Sequence, residues 1–408
     1  MTGHCLNENF ALSSFVFGTK EFDDVKTGEN IRSFILNNIL KDYLSTAEAE
    51  DFLMSSVIVT DNGANIVKAL KSYKRLPCMC HNINLLVEGL IKDFPTNIRN
   101  TIAEVKALVT FFKHSGLNSR LTKTLKQDVS TRWNSLYLMI ESFNDMFDEL
   151  EHILYERKDL FRLQGIDMTI IKILLQFLNI FKEASERLSA AKSPTINEIY
   201  VWRKKIEAHC ELTSLDSSVL KQLKHSVMTN LDMRMSIDNL HKIAVILDPN
   251  FKKMKFLPHS ERNEIKHQIL LMMMEAGKEI KSKQDHENKD QSSNSKKQFL
   301  SHDIFKDFMD DSDLSDEDDK SIECQLNSYI NEKIKNLPVD ICEYWNNQTS
   351  YPTLKKLAQQ ILSIPASSAA SERIFSSAGK IFSENRTRLS PEHLDALIFL
   401  HKNKGLKK

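Results

Sequence analysis

The stretch Val57-Ile58-Val59-Thr60-Asp61-Asn62-Gly63-Ala64 decides the fold class. Three β-branched apolar residues in a row, with Thr60 behind them, predict a buried strand over 55–60. Asp61-Asn62-Gly63 is turn chemistry. Ala64 to Tyr73 then has helical character, and Leu76-Pro77-Cys78 predicts a further short strand. Upstream, residues 1–20 alternate loosely and predict one or two short strands. Glu29 to Tyr43 places Ile31, Phe34, Ile35 and Ile39 at helical spacing. Strands alternating with helices give an α/β beginning.

From about Asn82 to Glu343 the pattern is helical. Its clearest element carries Ile170, Leu174, Phe177, Phe181, Ala184 and Leu188, three or four apart. Residues 276–323 break this pattern. Asp310 to Asp319 holds seven acids in ten residues. Such a segment offers too little apolar surface to offset its ordering entropy, so a disordered acidic and polar loop is expected, its charges simply solvated. After Leu337-Pro338, helical spacing returns through Leu354, Leu357, Ala358 and Ile361. Gly379 is placed to end the next helix, and Ser390-Pro391 to open the last.

Length and composition agree. A chain of 408 residues has room for two or three cores. Its 10 glycines and 9 prolines are too few for an all-β sandwich. No apolar run reaches the roughly 18 residues of a membrane helix. The first residues are not a signal peptide. Six scattered cysteines make no disulfide framework. Zero net charge argues against generic polyanion binding by the whole chain. Its parts differ, however: residues 301–323 hold ten acids against two lysines, and residues 351–408 ten bases against four acids.

Five motifs, in order, resemble those of hAT-family transposases (the hobo/Activator/Tam3 group). They are Thr60-Asp61-Asn62, Cys78-Met79-Cys80-His81, Asp128-Val129-Ser130-Thr131-Arg132-Trp133-Asn134-Ser135, Leu247-Asp248-Pro249-Asn250-Phe251-Lys252 and Ser371-Glu372-Arg373-Ile374-Phe375-Ser376. The resemblance implies an incomplete RNase H-like core over 1–81, an all-α insertion over 82–275, the loop at 276–323, and a C-terminal dimerisation region over 324–408. It makes Asp61 and Glu372 the second and third of three metal-binding carboxylates. From spacing alone, Asp61 reads instead as an aspartate bonding its own turn, and only the resemblance reverses that. Cys78 and His81, with Cys80 beside them, are either zinc donors lacking a second pair or structural and DNA-positioning residues. Trp133 is either a stacking face for an unpaired base with Arg132 on phosphate, or a core aromatic. The Asp248-Pro249 motif, where Asn250 stands for the family's usual Arg, is a turn without a catalytic role.

Thr2-Gly3-His4-Cys5-Leu6 and Thr27-Gly28-Glu29-Asn30-Ile31 are similar to family segments that follow the first catalytic Asp. That register puts the first Asp before Met1. The expectation is a transposase-derived nuclear protein, catalytically defective, that self-associates through Trp345, Leu354, Leu357, Leu394, Leu397 and Ile398. DNA is a further partner; membranes and small-molecule substrates are not. No cofactor is expected, unless Mg²⁺ or Mn²⁺ for an active form. The alternative is a fragment of an active metal-dependent DNA transposase.

Overall fold

A computed structural model describes residues 1–129, 133–290, 312–334, 337–381 and 390–405. The chain opens with a hairpin of β1 (Thr2–Leu6) and β2 (Leu12–Val16), paired antiparallel from Thr2 opposite Val16 to Leu6 opposite Leu12. Asn7 holds the connection, its Oδ1 accepting from the N–H groups of Asn9 (3.0 Å) and Ala11 (2.9 Å). Phe10 sits there at φ 55°, a sterically disfavoured region for a bulky residue. Its ring is fully buried beside Trp345. A Cβ at Gly3 would lie 2.3 Å from the Phe15 ring, which would have to shift to admit it.

The predicted strand–turn–helix–strand forms, with tighter bounds. β3 (Ile58–Thr60) runs parallel to β4 (Arg75–Pro77), joined by the Ala64–Ala69 helix. β3 is half-buried rather than buried. The two ladders are separate two-stranded sheets among the described residues, and the molecule is mostly helical.

The residues expected as one helix from Glu29 to Tyr43 divide. An α-helix spans Gly28–Phe34, a π-helical turn Ile35–Ile39, and a 3-10 turn Leu40–Asp42. The long amphipathic helix lies at Met168–Leu188, capped by Asp167, whose Oδ1 takes the N–H groups of Thr169 and Ile170. Ser390 caps the last helix, Pro391–Asn403, as expected. Gly379 does not end its helix, which continues through it to Ile381. A helix-interior glycine costs about 1 kcal/mol against alanine, too little to stop a helix held by tertiary packing.

The expected disordered span is helical where it is described. One helix covers His259–Asp290 and another Ser312–Asn331, while 291–311 fall outside the described residues. Both helices have anchored ends: Ile265, Ile269 and Met273 in the first and Leu326, Tyr329 and Ile330 in the second are buried. Helix extension from an anchored turn costs far less than nucleation.

A single hydrophobic cluster runs from Leu6 and Phe10, through the central helices, to Trp345, Leu354 and Ala366. It includes Leu76 and Met79 together with Ile83 and Leu86, on either side of residue 81. Chain ends also meet. Asn403 offers both halves of its amide to Val16, accepting its N–H and donating to its C=O, each at 2.9 Å. This covers the outer edge of β2 as a neighbouring strand would. Ile398 buries against Val16 and Ile374.

Candidate functional site

The candidate site is the corner where β3, the start of the Met79–Lys92 helix and the Ala369–Ile381 helix converge. The Cys78 N–H donates to the Thr60 carbonyl (2.6 Å), fixing β4 beside the residue before Asp61. Cys78 then caps the Met79–Lys92 helix, its Sγ accepting from the His81 N–H. The same sulfur accepts from the Ser368 N–H at 3.3 Å, and Met79 N–H donates to the Ala366 carbonyl. Ser368 in turn donates its hydroxyl to Glu372 Oε1 at 3.1 Å. One thiol thus links the strand leading to Asp61 with the helix carrying Glu372. From the other side, Thr2 Oγ1 and Ser371 Oγ share a hydrogen bond of 2.9 Å.

Asp61 is exposed, and its Oδ1 accepts from the Gly63 N–H at 3.1 Å. The turn reading of this residue is therefore realised, leaving its second oxygen at the surface. Arg75 staples the motif, donating to Thr60 Oγ1, the Asp61 carbonyl and Asn62 Oδ1. Asn62 reaches Asn82. Glu372 is also exposed. Among the described residues no three His, Cys, Asp or Glu side chains are gathered so as to hold a metal. The described donors therefore do not fit a two-metal centre, and no metal-dependent step is derived from them.

Of the paired Cys and His, Cys78 has a structural role at this corner. Cys78 is 1% exposed, so its thiol positions the corner and cannot touch a nucleic acid. Burial first, and then the neighbouring Cys78, push the Cys80 thiol up to about 12, which keeps it protonated and unreactive. His81 is half-exposed at the helix start.

Trp133, expected as a stacking face, begins the Trp133–Asp145 helix and is 5% exposed within the main core. Here the core reading prevails, because an indole walled in by apolar side chains presents no face to a base. Arg132 lies outside the described residues. The preceding Asp128 accepts from Ser135 Oγ (2.7 Å) and pairs with Lys106.

Asp248 is buried and forms no ion pair among the described residues. Burial raises its carboxyl, while hydrogen bonds from Asn250 and Asn197 oppose that shift. Asn250, the departure from the family motif, also bonds both the N–H and the C=O of Val339.

The expected association residues divide by exposure. Trp345, Leu354, Leu357 and Ile398 are buried inside this chain. Trp345 donates Nε1–H to the Leu247 carbonyl at 2.8 Å. Leu394 is half-buried against Ile398, and Leu397 is 46% exposed. Helical spacing marks an apolar face but does not say whether the chain itself or a second molecule covers it. Phe375, within the Ser371–Ser376 motif, and Leu400 are also exposed, at 62% and 66%.

Residues 325–404 match the hAT family C-terminal dimerisation region. Across 98% of its length the chain is 24% identical to the putative AC transposase of Zea mays. It is 29% identical over 59% of its length to the Hobo transposase of Drosophila melanogaster. Zinc finger BED domain-containing protein 4 of Homo sapiens is 23% identical over 86% of the chain.

The chain belongs to the hAT transposase family.

It spans 54%, 36% and 31% of those three hAT-related proteins, respectively. No helix among its described residues is long and apolar enough to cross a membrane.

Proposed function

We propose that this hAT-family chain is a transposase-derived nuclear protein that works by self-association, with DNA as a further partner. The carrying observation is the apolar surface left uncovered inside the matched dimerisation region. Leu397 and Leu400, three apart on the Pro391–Asn403 helix, share one face. Phe375 stands exposed on the helix that packs against it. A second copy is the occupant that the family match favours. A stable homodimer would bury about 2,000 Å² or more. Light scattering of the full chain at micromolar concentration should give twice the chain mass, and Leu397→Glu/Leu400→Glu should give the monomer with an unchanged melting point. A wild-type monomer under those conditions would overturn this reading.

We read the strand–helix elements before Met79 as part of an RNase H-like core that no longer cuts DNA. Three features support this reading: the two separate ladders, the Asp61 turn bond, and the absence of any cluster of three metal donors among the described residues. Incubation with Mn²⁺ and hairpin or flanked-end DNA should give no turnover. Cleavage abolished by Asp61→Asn would instead favour the second reading, a piece of an active metal-dependent transposase. The AC and Hobo relatives, each much longer than this chain, bring that reading into play.

A further inference from the structure

Away from that corner, a cavity of about 550 Å³ opens between the 249–256 loop and the chain that leaves the Ser312–Asn331 helix. It falls in the size range of ligand sites, roughly 300–1,000 Å³. Phe251, Phe256, Ile334 and Leu337 supply an apolar lining, with Phe256 and Leu337 exposed at 39% and 58%. Met254, at φ 40°, turns the loop through a conformation that non-glycine residues rarely adopt.

The polar lining divides into groups already committed and groups that are not. Lys252 is 5% exposed and bonds Glu332 at 3.0 Å, its ammonium 4.7 Å from the centre of the Tyr329 ring. The Tyr344 hydroxyl donates to the same Glu332 carboxylate. Glu332 is the one acid among the described lining residues, and Lys252 and Tyr344 both bond its carboxylate. The Asn250 amide is also committed, both its atoms being engaged by Asp248 and Val339. Lys253, Lys255 and Lys333 remain. They are exposed, and no hydrogen bond or ion pair holds them among the described residues.

We propose that this lysine-rimmed apolar groove is a docking site for an acidic peptide segment of a partner protein that inserts an aromatic or aliphatic side chain. Three ammonium groups without an ion-pair partner among the described residues, set around an apolar floor, complement carboxylates flanking an apolar anchor. Base readout needs free donors and acceptors, and Asn250, the one amide among the described lining residues, is already used. The Lys252–Glu332 pair, buried at its lysine end, and the Asn250 bridge hold both walls, so little ordering cost falls on binding. The spacing of the motif Leu247-Asp248-Pro249-Asn250-Phe251-Lys252 gave no sign of this groove. Its second wall comes from residues about 80 positions later.

Fluorescence polarisation of the full chain tests the proposal with a fluorescein-labelled octapeptide alternating aspartate and phenylalanine. Saturable binding in the micromolar range is expected, weakening about tenfold between low salt and about 0.5 M salt. Lys253→Glu/Lys255→Glu/Lys333→Glu should remove binding with the melting point unchanged. Phe256→Ala should weaken it several-fold. Three results would each overturn the proposal. One is no binding by wild-type chain. Another is equal affinity for an all-aspartate octapeptide, since the apolar floor would then do nothing. The last is displacement of the labelled peptide by single-stranded DNA of matched charge at lower concentration, which would mark a nucleic-acid surface.

Discussion

Acidification should weaken this fold through His241, a site where the structure sets both sign and size. His241 is fully buried in the Asn239–Ile246 helix. Its Nδ1 accepts the Asp238 N–H at 3.2 Å, which leaves the proton on Nε2, a buried atom without a partner. Burial pulls its pKa down to about 4; the Asp238 carboxylate opposes that shift and Lys74 adds to it. The unfolded imidazole titrates near 6.5. The unfolded chain therefore takes up the proton first as pH falls. This contribution to stability is complete above about pH 6.5, and declines until the folded group titrates near 4. By pH 5 the loss reaches about 2 kcal/mol, at 1.36 kcal/mol per pH unit. His4 and His209 are also lowered by burial, so the total acid sensitivity is not specific to His241. Comparison with His241→Gln isolates it, because Gln keeps an acceptor for the Asp238 N–H but cannot titrate. Urea unfolding of both proteins at pH 8 and pH 5 should show the stability gap shifting by about 2 kcal/mol against wild type. An identical gap at both pH values would refute the assignment of a neutral, buried His241.

Other outcomes follow from named contacts. Asn403→Leu strips both backbone partners from Val16, so stability should fall by about 1–3 kcal/mol, with faster hydrogen exchange at the Val16 amide. Gly3→Ala puts a methyl into the Phe15 ring; a loss of about 1–3 kcal/mol is expected for overpacking, and Phe15→Leu should recover part of it. Iodoacetamide on the folded chain should label exposed Cys5 and Cys324 and spare buried Cys78 and Cys210, as peptide mass mapping would show. Rapid labelling of Cys78 would mean that the corner joining Thr60 to Ser368 is open in solution.

The sequence by itself determined the local elements, because each rests on neighbours within a few residues. Val57 to Ala64 reads as strand, turn and helix from β-branching and turn chemistry alone. The Met168–Leu188 helix declares itself by periodicity, and Ser390-Pro391 by cap chemistry. The ordered motifs also carried the family likeness. Side-chain partnership across the chain was not legible there. Tertiary structure alone turned Cys78 into an acceptor for Ser368, 290 residues away, and committed Trp133 and Trp345 to the core. An apolar residue at helical spacing scores alike whether its own chain or another molecule covers it. Leu357 and Leu397 have the same side chain, yet one is 1% and the other 46% exposed. The physical reason is common to these cases: burial and long-range bonding are properties of surroundings that the fold brings together, whereas propensity and periodicity are properties of the chain.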